Sequence, residues 1–199
     1  ARRLPARQRR RGAASSGTLT ESCTEPEGEY EGEYNASGER EGRGVMRWVA
    51  GTVYEGEWKA GKMEGRGVAR YADGDVYEGE WKAGKMEGRG VARYADGDVY
   101  EGEWKSSFKE GRGVFRYPDG ELYDGEWKAG KREGRGVFRY ANGDVYDGEW
   151  KAGRQEGRGV YRFADGDVWR RGAASSGGPM DASKGEWKAD KQEGRGVMR

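Results

Sequence analysis

One exact internal repeat dominates the chain. Residues 54–76 have the sequence YEGEWKAGKMEGRGVARYADGDV, and residues 77–99 repeat all 23 letters without a change. A period of this length is typical of arrays in which each unit packs mainly on its neighbours. The sequence therefore predicts a repeat array without one thick hydrophobic core. Near copies precede and follow this pair, so the array has six repeats: 30–53, 54–76, 77–99, 100–122, 123–145 and 146–168.

Three segments fall outside this frame. Residues 1–29 are basic at their start, with six Arg and no acidic residue among the first 17. Residues 169–184 interrupt a seventh repeat, which resumes over 185–199 and is incomplete. The octapeptide RRGAASSG occurs at 10–17 and again at 170–177, and its small residues predict disorder in both segments. The Arg-rich start is also similar in composition to a transit peptide, so plastid or mitochondrial import is an alternative to a solvated tail.

Each repeat has the alternation of two short β-strands. Residues 54–58 alternate aromatic or small side chains with Glu, and residues 66–71 alternate in the same way. Five Gly in most repeats, and four in repeat 100–122, oppose a helix. Each repeat is therefore predicted to be an antiparallel hairpin. The Asp73-Gly74 pair predicts a tight turn with a positive φ at the Asp or Asn position, and the other connector, residues 59–64, is expected to be longer.

The same alternation places the aromatic side chains on one face. Tyr54, Gly56 and Trp58 share a face of the first strand, and Gly67, Ala69 and Tyr71 share a face of the second. Glu and Arg occupy the opposite face, where cross-strand pairs are expected to set the register. The predicted aromatic face, offered as a surface for a partner, comprises Tyr54, Trp58, Tyr71, Tyr77, Trp81, Tyr94, Tyr100, Trp104, Tyr117, Tyr123, Trp127, Tyr140, Tyr146 and Trp150.

This pattern resembles the MORN repeat (membrane occupation and recognition nexus). The residues that carry the resemblance are Tyr-x-Gly-x-Trp at 54–58, followed by Gly61, Gly65-x-Gly67, Tyr71 and Gly74. The resemblance implies an all-β fold, an elongated single-layer twisted antiparallel sheet of tandem hairpins. It also implies a role in membrane-associated or cytoskeletal assemblies. This chain departs from the pattern at four positions: Tyr34 in place of Trp, Ser107 and Asp190 in place of Gly, and Phe163 in place of Tyr.

Composition argues against catalysis. The chain has no His and a single Cys, Cys23, so a Ser/His or Cys/His nucleophile pair and a Cys-rich zinc site are excluded. Residues 56–62 match the GxxxxGK of a phosphate-binding loop, but Met63 stands where that loop needs Ser or Thr for magnesium. Carboxylates recur in every repeat and are interpreted as a solvated face. The prediction is a non-enzymatic protein with no catalytic residue, cofactor or metal.

A basic edge is the alternative binding surface. Residues beyond 17 carry 31 basic and 36 acidic groups, a net charge of −5, which opposes nucleic-acid binding. Basic residues nevertheless cluster at one connector of each repeat, where they are offered as a site for anionic phospholipid such as phosphoinositide. These residues are Lys59, Lys62, Lys82, Lys85, Lys105, Lys109, Lys128, Lys131, Lys151 and Arg154.

Three functions follow in order of preference. The first is a scaffold that binds a protein partner or a second copy at a membrane or cytoskeletal structure, because an aromatic face on a single sheet needs a cover. The second is a peripheral module for anionic lipid. The third is a choline- or carbohydrate-binding repeat, since aromatic cages attract quaternary ammonium groups. The expected location is the cytoplasm, with attachment to a membrane or the cytoskeleton.

Overall fold

The computed structural model describes residues 28–171, 186–188 and 191–193, which fall into two compact units that divide after Pro118. The described residues form strands and turns, with no helix among them. The N-terminal unit contains eight strands that pair in chain order, each antiparallel to the next. They are β1 (Gly28–Tyr34), β2 (Arg40–Trp48), β3 (Val53–Lys59), β4 (Lys62–Arg70), β5 (Val76–Lys82), β6 (Lys85–Arg93), β7 (Val99–Lys105) and β8 (Phe108–Arg116).

The C-terminal unit continues the same hairpin pattern. Its strands are β9 (Leu122–Lys128), β10 (Lys131–Arg139), β11 (Val145–Lys151), β12 (Arg154–Arg162), β13 (Val168–Arg171), β14 (Glu186–Lys188) and β15 (Lys191–Glu193). Strand β13 corrects the expectation that disorder begins at residue 169, because Trp169 is buried and lies opposite Tyr161 of β12. Likewise β1 begins at Gly28, inside the segment predicted to be disordered. The remainder of residues 1–29 and residues 172–184 lie outside the described residues.

The register places the aromatic rings as the alternation predicts. In the hairpin of β3 and β4, Tyr54 lies opposite Ala69, Gly56 opposite Gly67 and Trp58 opposite Met63. These residues line the inner face of the sheet, which holds the core: Tyr54, Trp58, Met63 and Ala69 are all buried. The prediction of tandem antiparallel hairpins is confirmed.

A bulge in each hairpin explains the Gly-x-Gly pair. Between β3 and β4 the register shifts after Gly56, so that Gly65 and Arg66 have no partner on β3. Gly65 adopts a φ of +62°, which favours glycine. The Glu57 carboxylate fills the gap and accepts a hydrogen bond from the Arg66 backbone N–H at 2.9 Å. The carboxylate therefore replaces a lost ladder bond.

The two connectors have lengths opposite to those predicted. Strands β3 and β4 are joined by the two residues Ala60 and Gly61, both at positive φ as a type I′ hairpin turn requires. Residues 71–75 make the longer connector. There the positive φ, +98°, belongs to Gly74 and not to the Asp before it. Sequence reasoning missed the Ala-Gly turn because Ala is rarely found at positive φ.

The hairpin between β7 and β8 provides a test of this turn. Ser106 and Ser107 have φ values of +48° and +67°. Ser107 occupies the position that Gly61 has in the turn between β3 and β4. A non-glycine residue there costs roughly 1–2 kcal/mol. We expect Ser107→Gly to raise the free energy of unfolding by about 1 kcal/mol, measured by urea denaturation. The matched change Gly84→Ser, in the preceding hairpin, is expected to lower it by a similar amount; a destabilised Ser107→Gly variant contradicts this account.

The outer face carries alternating Val, Glu and Arg. Arg66 lies opposite Glu80, and Val68 opposite Glu78. Ion pairs such as Arg116–Glu101, at 3.6 Å, join neighbouring strands, with both side chains about half exposed or more. Such pairs each contribute well under about 1 kcal/mol, so burial of the inner face supplies most of the stability.

Candidate functional site

The inner face is built on a ladder of tyrosine and tryptophan rings. The ring of Tyr77 meets Trp81 of its own strand at 5.1 Å and Trp104 of the next repeat at 5.2 Å, both edge to face. Its hydroxyl donates to the Glu80 carbonyl at 3.1 Å. The Trp81 indole N–H donates to the carbonyl of Gly67, in the preceding repeat, at 3.2 Å. Each ring therefore ties one repeat to the next.

Burial of the ladder corrects the expected aromatic face. Ten of the fourteen proposed partner-contacting rings are buried by the sheet itself, and the five tyrosines among them lie over inner-face glycines. They form the core and are closed to a partner. Burial also raises the pKa of Tyr77 and of its equivalent Tyr100 far above the usual tyrosine range. The ten are Tyr54, Trp58, Tyr77, Trp81, Tyr100, Trp104, Tyr123, Trp127, Tyr146 and Trp150.

Four rings remain partly exposed. In the N-terminal unit, Tyr71, Tyr94 and Tyr117 follow directly after β4, β6 and β8 at the same position of consecutive repeats. We call these three residues the tyrosine rim. The rim is held by the inner face, because the ring of Phe115 lies 6.2 Å from Tyr94 and 4.6 Å from Tyr117. Tyr140 has the equivalent position in the C-terminal unit.

One inner-face row changes character along the array. Met63 and Met86 occupy this row in two repeats, and Lys109 takes the same position in the next. Lys109 is only 8% exposed, which corrects its assignment to the basic edge. Its ammonium group lies 4.4 Å from the centre of the Phe115 ring and 5.0 Å from that of Tyr94. Burial lowers the pKa of Lys109 to about 8, although nearby Asp98 acts in the opposite direction.

This lowered pKa predicts a specific pH dependence. Because the folded chain releases the Lys109 proton at lower pH than the unfolded chain, its stability should rise with pH between about 8 and 10. The Lys109→Met variant has the side chain found at Met86 and should lack this rise. The measurement is the difference in free energy of unfolding between the two proteins from pH 7 to 9.5. If the free energy of unfolding of the unmodified chain does not rise with pH relative to that of the Lys109→Met variant, the lowered pKa of Lys109 is contradicted.

Most residues of the predicted basic edge are exposed in the structure. Nine of its ten residues are exposed. Eight of the nine face each other in pairs across the two-residue turns, as Lys59 does with Lys62 and Lys82 with Lys85. Like charges directly opposite each other destabilise a sheet. The turn itself offers no free amide, because Ala83 donates to the Glu64 carboxylate and Gly84 to the Met63 carbonyl. The nine are Lys59, Lys62, Lys82, Lys85, Lys105, Lys128, Lys131, Lys151 and Arg154.

Phe108 interrupts this edge and was missed by the sequence analysis. It replaces the lysine or arginine that starts the second strand of the other hairpins in the six repeats, lies opposite Lys105 and is 46% exposed. The signal was available in the sequence, since the insertion of an aromatic residue into an otherwise charged position stands out when the repeats are aligned.

The recurring carboxylates have structural partners. Glu57 and Glu64 accept backbone hydrogen bonds, and Asp75, which is buried, accepts one from Ala95 of the next repeat at 2.8 Å. Within the described part of the chain, no group of three or more Asp, Glu, His or Cys residues is arranged to hold a metal ion. No helix there is long and apolar enough to cross a membrane.

Tandem hairpins joined by a tyrosine–tryptophan ladder define an all-β repeat protein. The chain belongs to the MORN repeat family, whose model matches residues 30–53, 54–76, 77–99, 100–121, 123–145, 146–168 and 184–199. No curated protein sequence matches the chain.

Two solved structures are similar to this chain at low sequence identity. The TCP domain of Drosophila melanogaster SAS-4, in complex with a proline-rich motif of Ana2, is 13% identical, with a TM-score of 0.45 over 72% of this chain and 78% of that one. The TCP10 domain of Danio rerio CPAP, in complex with a peptide of STIL, is 12% identical, with a TM-score of 0.44 over 71% of this chain and 64% of that one.

Proposed function

We propose that the chain is a protein-binding scaffold and that the tyrosine rim is its contact surface. The observation that carries this proposal is the regular row of partly exposed rings, one in each of three consecutive repeats, on a buried base. Tyrosine is enriched in protein interfaces, since it buries a large apolar area at low conformational cost and can also form hydrogen bonds. A scaffold needs no catalytic group, in keeping with the structural roles of the carboxylates.

The surroundings of the rim indicate the chemistry of the partner. Exposed Asp73 and Asp96 lie two residues beyond Tyr71 and Tyr94 in the connecting turns. A partner segment with apolar side chains between basic residues would pack on the rings and meet these carboxylates. We place this binding in the cytoplasm, at a membrane or cytoskeletal structure, where a repeat array presents the same contact several times.

The test compares two triple variants. Tyr71→Ser, Tyr94→Ser and Tyr117→Ser together remove the rim, whereas Arg70→Ser, Arg93→Ser and Arg116→Ser change the adjacent outer-face residues as a matched control. Each protein is used to capture partners from its own cells after circular dichroism has verified the β-sheet signal. Capture is expected to fail with the rim variant and persist with the control. Equal capture by both variants refutes the rim as the binding surface.

A second candidate function is binding of anionic phospholipid at the basic edge. The like-charged pairs across the turns favour it, because they oppose sheet stability and are relieved by an anionic partner. The net charge of −5 outside the first 17 residues opposes it. Sedimentation with phosphoinositide-containing liposomes, with residues 1–17 removed, is expected to fall steeply with salt. Replacing Lys59, Lys62, Lys82, Lys85, Lys128 and Lys131 with Glu should abolish it; no sedimentation at low salt excludes this function.

A choline- or carbohydrate-binding role receives less support. The space over the rings is filled by cations of the chain itself: Lys109 lies over Phe115, and the Arg132 guanidinium lies 4.4 Å from the centre of the Trp150 ring. A quaternary ammonium ligand would have to displace these groups.

A further inference from the structure

One edge of strand β1 is not covered by any of the described strands. Among the described strands it pairs only with β2, whereas β3, β5 and β7 each pair with a strand on both sides. The difference is visible in burial: Tyr34 of β1 is 58% exposed, and Trp58, at the same position of β3, is 4% exposed. An exposed edge with aromatic side chains is a template for another strand.

The array itself shows what kind of strand covers this edge. On β3, the corresponding edge is covered by β2, with Arg43 opposite Glu57, Gly44 opposite Gly56 and Val45 opposite Glu55. Sequences of this kind, Glu-Gly-Arg-Gly-Val, also precede β5 and β7. A strand that fits β1 should therefore have the same sequence.

The chain contains a second copy of that sequence. Residues 193–199, EGRGVMR, are identical to residues 41–47 within β2. The strand that leads into it, β15 (Lys191–Glu193), pairs with β14 and has no other partner among the described strands. We propose that residues 193–199 of one chain pair with the open edge of β1 in a second copy, joining the two head to tail.

Charge supports this pairing. In the register of β2 on β3, Arg195 lies opposite Glu33, Val197 opposite Glu31 and Arg199 opposite Glu29. The β1 side of the junction thus presents three acidic residues, and the incoming segment brings two arginines. The junction would bury Tyr34, as Trp58 is buried within the array.

This interface is independent of the tyrosine rim. It uses two different surfaces, so after one pair of chains has joined, β1 of one copy and residues 193–199 of the other have not been used for the contact. Head-to-tail contacts of this type build rings or open filaments, not dimers with twofold symmetry. The chain would then form extended assemblies whether or not a rim partner is present.

The experiment exchanges charges across the junction. One variant carries Glu29→Lys and Glu31→Lys, the other Val197→Glu and Arg199→Glu at the positions opposite them, and sedimentation velocity at 150 mM salt records mass against concentration. We expect the unmodified chain to grow beyond a dimer, and each variant alone to associate at least about tenfold more weakly because like charges meet. An equimolar mixture of the variants should regain the assembly, because each junction is complementary again.

Three results overturn the proposal. The first is that the unmodified chain remains a monomer at the highest attainable concentration. The second is that both variants assemble as the unmodified chain does. The third is that the mixture fails to regain assembly although circular dichroism shows both variants folded. A Tyr71→Ser, Tyr94→Ser and Tyr117→Ser protein serves as the control and is expected to assemble normally. Loss of partner capture and loss of assembly are therefore distinguishable.

Discussion

Gly102→Val is expected to lower the free energy of unfolding by about 3 kcal/mol, the upper end of the usual cost of overpacking. A Cβ at Gly102 would lie 2.5 Å from the Cα of Gly113, 2.5 Å from the Tyr100 hydroxyl and 2.7 Å from the carbonyl oxygen of Arg112. Two of these three atoms belong to the backbone of the paired strand, so the clash cannot be relieved by a rotamer change. Urea denaturation followed by tryptophan fluorescence measures the loss.

Two controls separate crowding from other effects. Lys105→Ala, at the exposed end of the same strand, is expected to change stability by under about 0.5 kcal/mol. Gly61→Ala places a methyl group where no heavy atom lies within 4 Å, but at a φ of +74°, so it reports only the backbone strain of roughly 1–2 kcal/mol. If Gly102→Val costs no more than Gly61→Ala, the close approach of the strands is not what requires glycine.

Trp81→Ala is expected to cost about 3–5 kcal/mol, as large aromatic truncations in cores do. The indole packs edge to face on Tyr54 at 5.3 Å and on Tyr77 at 5.1 Å, so its removal leaves a cavity between two repeats. It also leaves the Gly67 carbonyl without its indole donor. The measurement is the free energy of unfolding by urea denaturation monitored by circular dichroism.

Trp81→Phe is the matched variant, since it keeps part of the ring contact and removes only the indole donor and some volume. A cost of about 1–2 kcal/mol is expected for it. Truncation of the exposed Tyr34 to Ala, at the equivalent position of β1, should cost far less than Trp81→Ala in a monomeric sample. Equal costs at the two positions contradict the view that each indole is buried against the preceding repeat.

Much of the fold follows from local chemistry in the sequence. Period-2 alternation places Tyr54 and Trp58 on one face and Glu55 and Glu57 on the other, and the structure has this arrangement. Alternation also predicts that Gly56 shares the face of Tyr54, and the Tyr54 hydroxyl occupies the space where a Gly56 side chain would lie. Both inferences depend only on strand geometry, which is uniform along a repeat.

Other features depend on tertiary contacts and could not be predicted. Alternation tells which face Tyr54 occupies, but not that its ring lies flat over glycines and so closes the face to a partner. Lys109 appears in the sequence as one of several connector lysines. The 23-residue period aligns it with Met63 and Met86, and its burial follows because the two-residue turn starts β8 at Phe108 and so places residue 109 opposite Trp104 on the inner face. The error in turn length and the error at Lys109 therefore have one cause.

The serial pairing of the strands has a mechanical consequence. In the N-terminal unit every strand is hydrogen-bonded only to its neighbours in the chain, so a pull on its first residue loads the bonds between β1 and β2 before any others. The strands should detach one after another, as a zipper opens, and at lower force than strands loaded in shear. Each detached repeat of 23 residues releases up to roughly 80 Å of chain. A tether of this kind would lengthen in regular steps under tension and shorten again as the hairpins reform.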